Sequence, residues 1–330
     1  MLPLSIPSPS TAWQYFDLTA WLDRAFGWSV PLDFRIHAYA ICILLGIVAC
    51  VLITNARLNR RGADRWVIID VAIWSVPLGI VGGRIFHVLT HVGDYFGAGI
   101  PWWKPLAIWE GGLAIFGALI LGSVGAWIAC RQVGLRFTTF LDSVAPAMLV
   151  AQAFGRLGNY FNHELFGMPT SLPWGLQIET SNPAYPVGLP EGTLFHPTFL
   201  YEIIWNLVGF AVIVLIDKRF RLQWGRVLAL YLIWYGIGRS VLESIRVDTS
   251  ETFFGVRTNV YAALFAVLLG IVVFVVQTRR HRGKEPSAFA PGREPGSDRS
   301  VGSDDTYPET DDEPLAAADP EPVAIAVDRS

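Results

Sequence analysis

The stretch Gly155–Gly167, GRLGNYFNHELFG, combines side chains that grip anions with small residues that leave room for a ligand. Arg156, Asn159 and His163 follow at spacings of three and four, so a helix sets them on one face. Asn162 and Glu164 add further polar groups, while Gly155 and Gly158 open space for a neighbouring backbone or a bound molecule. The stretch closes an apolar run that starts near Phe140. An arginine at membrane depth costs at least ~2.5–3.5 kcal/mol on insertion scales, so it is kept with a partner or a task. Tyr235, Arg239 and Glu243 repeat every four residues and share one helix face, and Arg84 follows Gly79, Gly82 and Gly83. Paired guanidiniums in a low-dielectric cleft bind phosphate through bidentate, charge-assisted hydrogen bonds. Glu164, Glu202 and Glu243 would neutralise part of that charge in the empty site. The plainer alternative is a set of salt bridges, Arg239 with Glu243 and Arg156 with Glu164 or Glu202, that only hold helices together.

The elements that position these groups follow from composition. The chain has 330 residues, 52% hydrophobic and only 16% charged, with a mean hydropathy of +0.42. Soluble domains have about 25% charged residues, so the balance points to an all-α integral membrane protein. Stretches of roughly 20 apolar residues cross the hydrocarbon core. They predict seven transmembrane helices at 36–55, 66–90, 112–131, 138–160, 197–217, 226–246 and 259–277. Thr11–Trp28 is aromatic and too broken by charge to span, which reads as an interfacial segment within residues 1–34. The helices form a transmembrane domain over 35–282, with a polar outer arm at 161–196. The loop Ile100–Gly112, with Trp102, Trp103 and Trp109, reads as interfacial or re-entrant. Residues 283–330 hold twelve acidic and four basic side chains and read as a disordered cytoplasmic tail, leaving +5 on residues 1–282. The start, MLPLSIPSPS, has no basic region or cleavage site of a removable signal peptide.

Basic residues set the orientation. They cluster after span one (Arg57, Arg60, Arg61, Arg65), between spans three and four (Arg131, Arg136) and between five and six (Lys218, Arg219, Arg221, Arg226), and again after span seven (Arg279, Arg280, Arg282, Lys284). Phe161–His196 contains no lysine or arginine. The N-terminus is therefore expected outside and the C-terminus in the cytoplasm. Helical rise then lifts Arg239 roughly 20 Å above the cytoplasmic surface, and Arg156 and Arg84 roughly 27 Å. Three arginines from three spans are expected to converge in the outer half of the bilayer, at the height of lipid phosphates. Cys42, Cys50 and Cys130 lie in apolar runs and read as packing residues. His87 and His91, four apart at a helix end, lack a third ligand nearby and read as interfacial; no metal or organic cofactor is signalled. His37, which shares the outer half of span one with Tyr39, is a candidate either for function or for a core bond to a carbonyl. His196, before Pro197, reads as a helix-start residue.

These residues resemble the prolipoprotein diacylglyceryl transferase family of the bacterial inner membrane. The likeness rests on GRLGNYFNHELFG and on His37-Ala38-Tyr39, the GGR at Gly82–Arg84, and WEGG at Trp109–Gly112. It extends to Asp142 with Pro146, HPTFLYE at His196–Glu202, and YGIGRSVLESIR from Tyr235 to Arg246. The resemblance implies transfer of the diacylglyceryl group of phosphatidylglycerol to the lipobox cysteine thiol of a preprolipoprotein, with release of glycerol phosphate. It implies Arg156 as the contact for the lipid phosphate, with Asn159, Glu164 and Gly167 shaping the site. Tyr39, Tyr235, Arg239 and Glu243 match positions tied to activity, and Arg84, Glu202 and Arg246 are further candidates for substrate binding. Many members have a histidine shortly after the GG of the WEGG-like loop; here Leu113, Ala114, Ile115 and Phe116 fill that place. The proton acceptor is left among His37, Tyr235 and water. Expected partners are phosphatidylglycerol, the preprolipoprotein and membrane lipids, and not nucleic acid. Two other readings fit the arginines alone: a secondary transporter for a small organic anion, against which the absence of an internal repeat counts, and a structural membrane subunit.

Overall fold

The computed structural model describes residues 5–28, 35–97, 99–108, 111–247, 252–281 and 283–294. A short strand β1 (Tyr15–Asp17) leads into α1 (Leu18–Phe26) and pairs antiparallel with β2 (Arg35–His37). Long helices follow: α2 (Ala38–Arg60), α3 (Val67–Thr90), then a single turn α4 (Val92–Tyr95), α5 (Ile115–Gln132) and α6 (Phe137–Phe161). The arm after α6 holds the two-residue strands β3 (Leu176–Gln177) and β4 (Leu194–Phe195). Helices α7 (Thr198–Phe220) and α8 (Arg226–Glu243) come next, then the hairpin β5 (Thr252–Phe253) and β6 (Val256–Arg257), and last α9 (Thr258–Arg280). The long helices lie within a few residues of the seven expected spans. Six are long and apolar enough to cross a membrane. The seventh, α8, has 18 residues and carries Arg226, Arg239 and Glu243, which lower its hydropathy.

Helix α6 is the central post, packed on α2, α7 and α8; α9 lies on α8, and α3 pairs with α5. The last pair is close because glycines face each other. A Cβ on Gly82 would sit 2.3 Å from the Gly117 carbonyl oxygen, and one on Gly117 would sit 2.1 Å from that of Gly82. Small residues allow such backbone approach in a membrane, where dispersion contacts and not water drive helix association. Helices α7 and α8 are locked by Trp205 and Trp234, stacked at 4.5 Å. Each indole N–H donates to the other residue's carbonyl, at 3.2 and 3.1 Å.

Charged residues tie the ends of α2, α6, α7 and α8 together away from the arm. Pro146 inside α6 has no N–H for the Asp142 carbonyl, which instead accepts from Arg57 at 3.0 Å. The fully buried Asp142 carboxylate caps α8 from another helix, accepting from the backbone of Gly225, Val227 and Leu228 at 2.9–3.0 Å. These are the donors a helix start leaves unpaired, and a negative charge suits that end.

Residues 283–294 correct the expectation of disorder from Gly283 onward. They form a strap against the α5–α6 turn. Ala288 and Phe289 are buried in the same apolar cluster as Leu58, Val71 and Phe140. The Ala288 and Phe289 carbonyls accept from the backbone and side chain of Arg136, and Glu285 accepts from Thr138 and Thr139. Residues 295–330 lie outside the described part. At the other end, Trp13, Phe26 and Trp28 around α1 are well exposed, as an interfacial segment requires. The arm has its own small core of Phe166, Leu176, Ile178, Phe195 and Phe199, which Ile6 joins by pairing with Leu176.

Candidate functional site

Four helix ends meet beside the arm: the start of α2, the end of α6, the start of α7 and the end of α8. The arm stitches them together through backbone bonds. Met168 N–H donates to the Ile245 carbonyl at 2.8 Å, and Gly167 N–H donates to that of His196 at 2.9 Å. A Cβ on Gly167 would lie 2.7 Å from the His196 Cβ and 2.9 Å from the Ile245 oxygen, so no side chain fits at this junction. Gly167 therefore lets three segments touch. The turn before it is tight as well. His163 and Leu165 adopt left-handed backbone, with φ of 55° and 59°, conformations rare for residues with a Cβ. The Leu165 carbonyl is held by the Thr198 hydroxyl.

Within this frame the Arg156 guanidinium from α6 is ion-paired with Glu202 from α7. Arg156 also donates to the Asn159 side-chain oxygen at 3.1 Å, and the Asn159 amide donates to Glu164 at 2.8 Å. Gly158 makes room for the Tyr39 ring of α2, since a Cβ there would lie 2.6 Å from it. From α8, Arg239 Nη2 lies 2.8 Å from Glu243 Oε2. The fully buried Glu243 carboxylate also faces Arg246 at 3.7 Å and Arg257 at 3.5 Å, and accepts from the Asn259 amide at 2.9 Å. Arg246, Glu243, Glu202 and Arg156 all act electrostatically on Arg239, which joins the two ion-paired groups into one charged region.

The balance of this region is cationic. Four guanidiniums, Arg156, Arg239, Arg246 and Arg257, face the carboxylates of Glu202 and Glu243, with Glu164 reached through Asn159. Arg239 Nη1 is buried and has no hydrogen-bond partner among the described residues. A buried cation donor left unpaired is costly, and an anion arriving there would satisfy it. Tyr235 stands one helical turn from Arg239 and stacks on Tyr231, with ring centroids 6.0 Å apart.

Three expectations fare differently. Arg84 does not join the cluster. Its guanidinium donates to the carbonyls of Lys104, Pro105, Gly111 and Gly112 at 2.6–3.2 Å and lies over the Tyr95 ring at 4.7 Å. With these backbone bonds it fastens Lys104, Pro105, Gly111 and Gly112 to α3. His37 stands at the start of α2 with an exposed side chain and no side-chain hydrogen bond among the described residues. Trp109 and Glu110 of the WEGG stretch lie outside the described residues; the ring nearest Gly112 is that of His87. Among the described residues no three His, Cys, Asp or Glu groups are placed to hold a metal ion. The cysteines are all free, Cys42 and Cys130 buried and Cys50 half-buried.

The profile of the family described as prolipoprotein diacylglyceryl transferase matches residues 27–276. The chain belongs to this family. Among curated relatives, the phosphatidylglycerol–prolipoprotein diacylglyceryl transferase of Leifsonia xyli subsp. xyli is 56% identical over 313 residues, covering 92% of this chain and 90% of its own length. The protein of that name from Mycobacteroides abscessus is 44% identical, covering 82% and 80%, and one from Streptomyces coelicolor is 45% identical, covering 79% and 81%. As a prolipoprotein diacylglyceryl transferase family member, the chain is a multi-pass membrane protein. Two residues of the charged region escape a reading by motif: Arg257 and Asn259. The available signal was an arginine and an asparagine just where an apolar helix begins, at the end that also holds Glu243.

Proposed function

We propose that this chain transfers the diacylglyceryl group of phosphatidylglycerol to the thiol of the lipobox cysteine of a preprolipoprotein. The sulfur forms a thioether bond to the glyceryl carbon, the bond from that carbon to the phosphate oxygen breaks, and glycerol phosphate leaves. The thiol proton passes to water or to a nearby base. The observation that carries this reading is the gathering of Arg156 and Arg239 from separate helices, each paired with a carboxylate and neither shielded by backbone. The lipid phosphate displaces Glu202 from Arg156 and takes up the free Nη1 of Arg239. Both guanidiniums then stabilise charge growing on the leaving phosphate and favour the thiolate of the incoming cysteine. Glu243 aims Arg239, with Arg246 and Arg257 setting its own position. Asn159 and Glu164 fix Arg156, and Tyr39 and Tyr235 line the two sides. The nucleophile comes from the substrate, so the apolar-embedded cysteines need no chemical role.

The same reading sets the chain in the bacterial cytoplasmic membrane, with the N-terminus and the 161–196 arm outside and the C-terminus in the cytoplasm. The support is the clustering of basic side chains at the end remote from Arg156. Residues 1–34 lie along the outer interface and 35–282 form the catalytic bundle. The test is alanine at Arg156 and at Arg239, assayed with purified protein, labelled phosphatidylglycerol and a lipobox peptide. Loss of one charge-stabilising group is expected to lower the rate about 10²–10³-fold. Near-normal transfer by both folded variants would refute the mechanism, and ion-gradient-driven anion uptake into proteoliposomes would favour a transporter.

A further inference from the structure

At the end of the bundle remote from Arg156, the last turns of α2 and α7 and the strap border an open cavity of about 430 Å³. Arg57, Arg60, Arg61, Lys218, Arg221 and Lys284 line it, against the single carboxylate of Asp217. That carboxylate is already engaged, at 2.8 Å from Arg57 and 3.4 Å from Arg61. Asp142, 3.7 Å from Arg61, spends its oxygens on the start of α8. Arg60, Lys218, Arg221 and Lys284 have no ion pair among the described residues, and Arg61 Nη1 is buried without a hydrogen-bond partner. An excess of basic residues on one side of a membrane protein accounts for cations at this end. It does not account for four cations without an ion pair among the described residues facing one concavity beside Arg57 and Arg61, where their mutual repulsion falls if a further anion sits among them.

Depth identifies the anion. From Tyr39, beside Arg156, to Arg61 the chain of α2 rises roughly 33 Å, close to the ~30 Å thickness of the hydrocarbon core. The cavity therefore lies at headgroup level in the leaflet opposite the Arg156–Arg239 site. Beside it, Leu215 and Phe220 of α7 are 63% and 66% exposed, an apolar wall against which acyl chains can lie.

We propose that this cavity binds the phosphate of an anionic phospholipid of that leaflet, as a second lipid site separate from the one where transfer occurs. Basic pockets between membrane helices bind such headgroups by this chemistry. Inorganic phosphate or glycerol phosphate would offer the same oxygens, and the experiment separates the sources. The full chain in detergent, supplied with phosphatidylglycerol or phosphatidylcholine, is examined by native mass spectrometry for retained lipid. The R60Q/K218Q/R221Q variant removes three exposed cations that make no ion pair among the described residues, and Lys218→Gln alone gives a milder step. Retention of phosphatidylglycerol at this site is expected to weaken about fivefold per cation removed and on the order of a hundredfold in the triple variant. Phosphatidylcholine is not retained, and Arg239→Gln leaves this lipid in place. Unchanged phosphatidylglycerol stoichiometry in the triple variant overturns the proposal, as does retention of inorganic phosphate in place of lipid. The readout is stoichiometry and does not depend on transferase activity.

Discussion

Glu243→Gln tests whether one carboxylate organises the cationic end of α8. Glu243 is fully buried, with Arg239, Arg246 and Arg257 2.8–3.7 Å away and the Asn259 amide bonded to it at 2.9 Å. Glutamine keeps the shape and one acceptor but removes a charge that these three guanidiniums share. Breaking a buried ion pair by removing one partner costs about 3–5 kcal/mol, because the other charge stays buried and uncompensated. With three cations around one site the loss belongs at the upper end of that range. A second change, Arg257→Gln, removes one stranded cation and recovers part of the loss, so the two effects are not additive. The assay is thermal unfolding of purified protein in detergent, run beside transfer of label from phosphatidylglycerol to a lipobox peptide. Transfer should fall further than stability explains, since Arg239 loses the group that aims it. An unfolding midpoint equal to that of the wild type, with transfer within twofold, would refute the argument.

Asp142→Ala strips the start of α8 of three accepted backbone bonds; at about 1–3 kcal/mol for each buried donor left unpaired, folded yield should collapse while Asp142→Asn retains part of it. Phe289→Ala empties a buried site in the strap and should cost about 3–5 kcal/mol in thermal stability, with the rate per folded molecule unchanged. In the arm, Glu179 is held below the usual carboxylate range: burial alone would raise it, but the His163 ring 2.8 Å away, its own backbone and Asn182 outweigh that. Its contribution is therefore complete above pH 4.5, the ordinary value, and is lost as pH falls through the lower folded value. Proteolytic cleavage within 162–197 by an acid-active protease should quicken below that pH in the wild type, and a Glu179→Gln variant should show no such step.

The seven long helices were legible because apolar runs near 20 residues have few other uses, and the four-residue spacing set Arg239 beside Glu243. Arg84 shows where that reasoning stops. Rise along α3 says nothing of which helix lies beside it, which depends on glycine faces such as Gly82 against Gly117, and the carbonyls that fill the Arg84 donors leave no mark in the sequence. The strands of the arm have two residues each, too few for alternation to register. Composition misjudged the start of the tail, since Pro, Gly and acidic residues dominate from Gly283 and only Ala288 and Phe289 seek the core. Arg257 and Asn259 lie outside the contiguous stretches that suggested the site, and they meet Glu243 only because β5 and β6 turn the chain back.

The strap has a consequence for how the molecule is made. Its twelve residues leave the ribosome after all the long helices, and Phe289 seals a seam formed by segments near Leu58, Val71 and Phe140. The final clasp can close only once α2, α3, α5 and α6 are seated, so a chain with one of these early helices misplaced would leave that aromatic ring exposed to quality-control proteases.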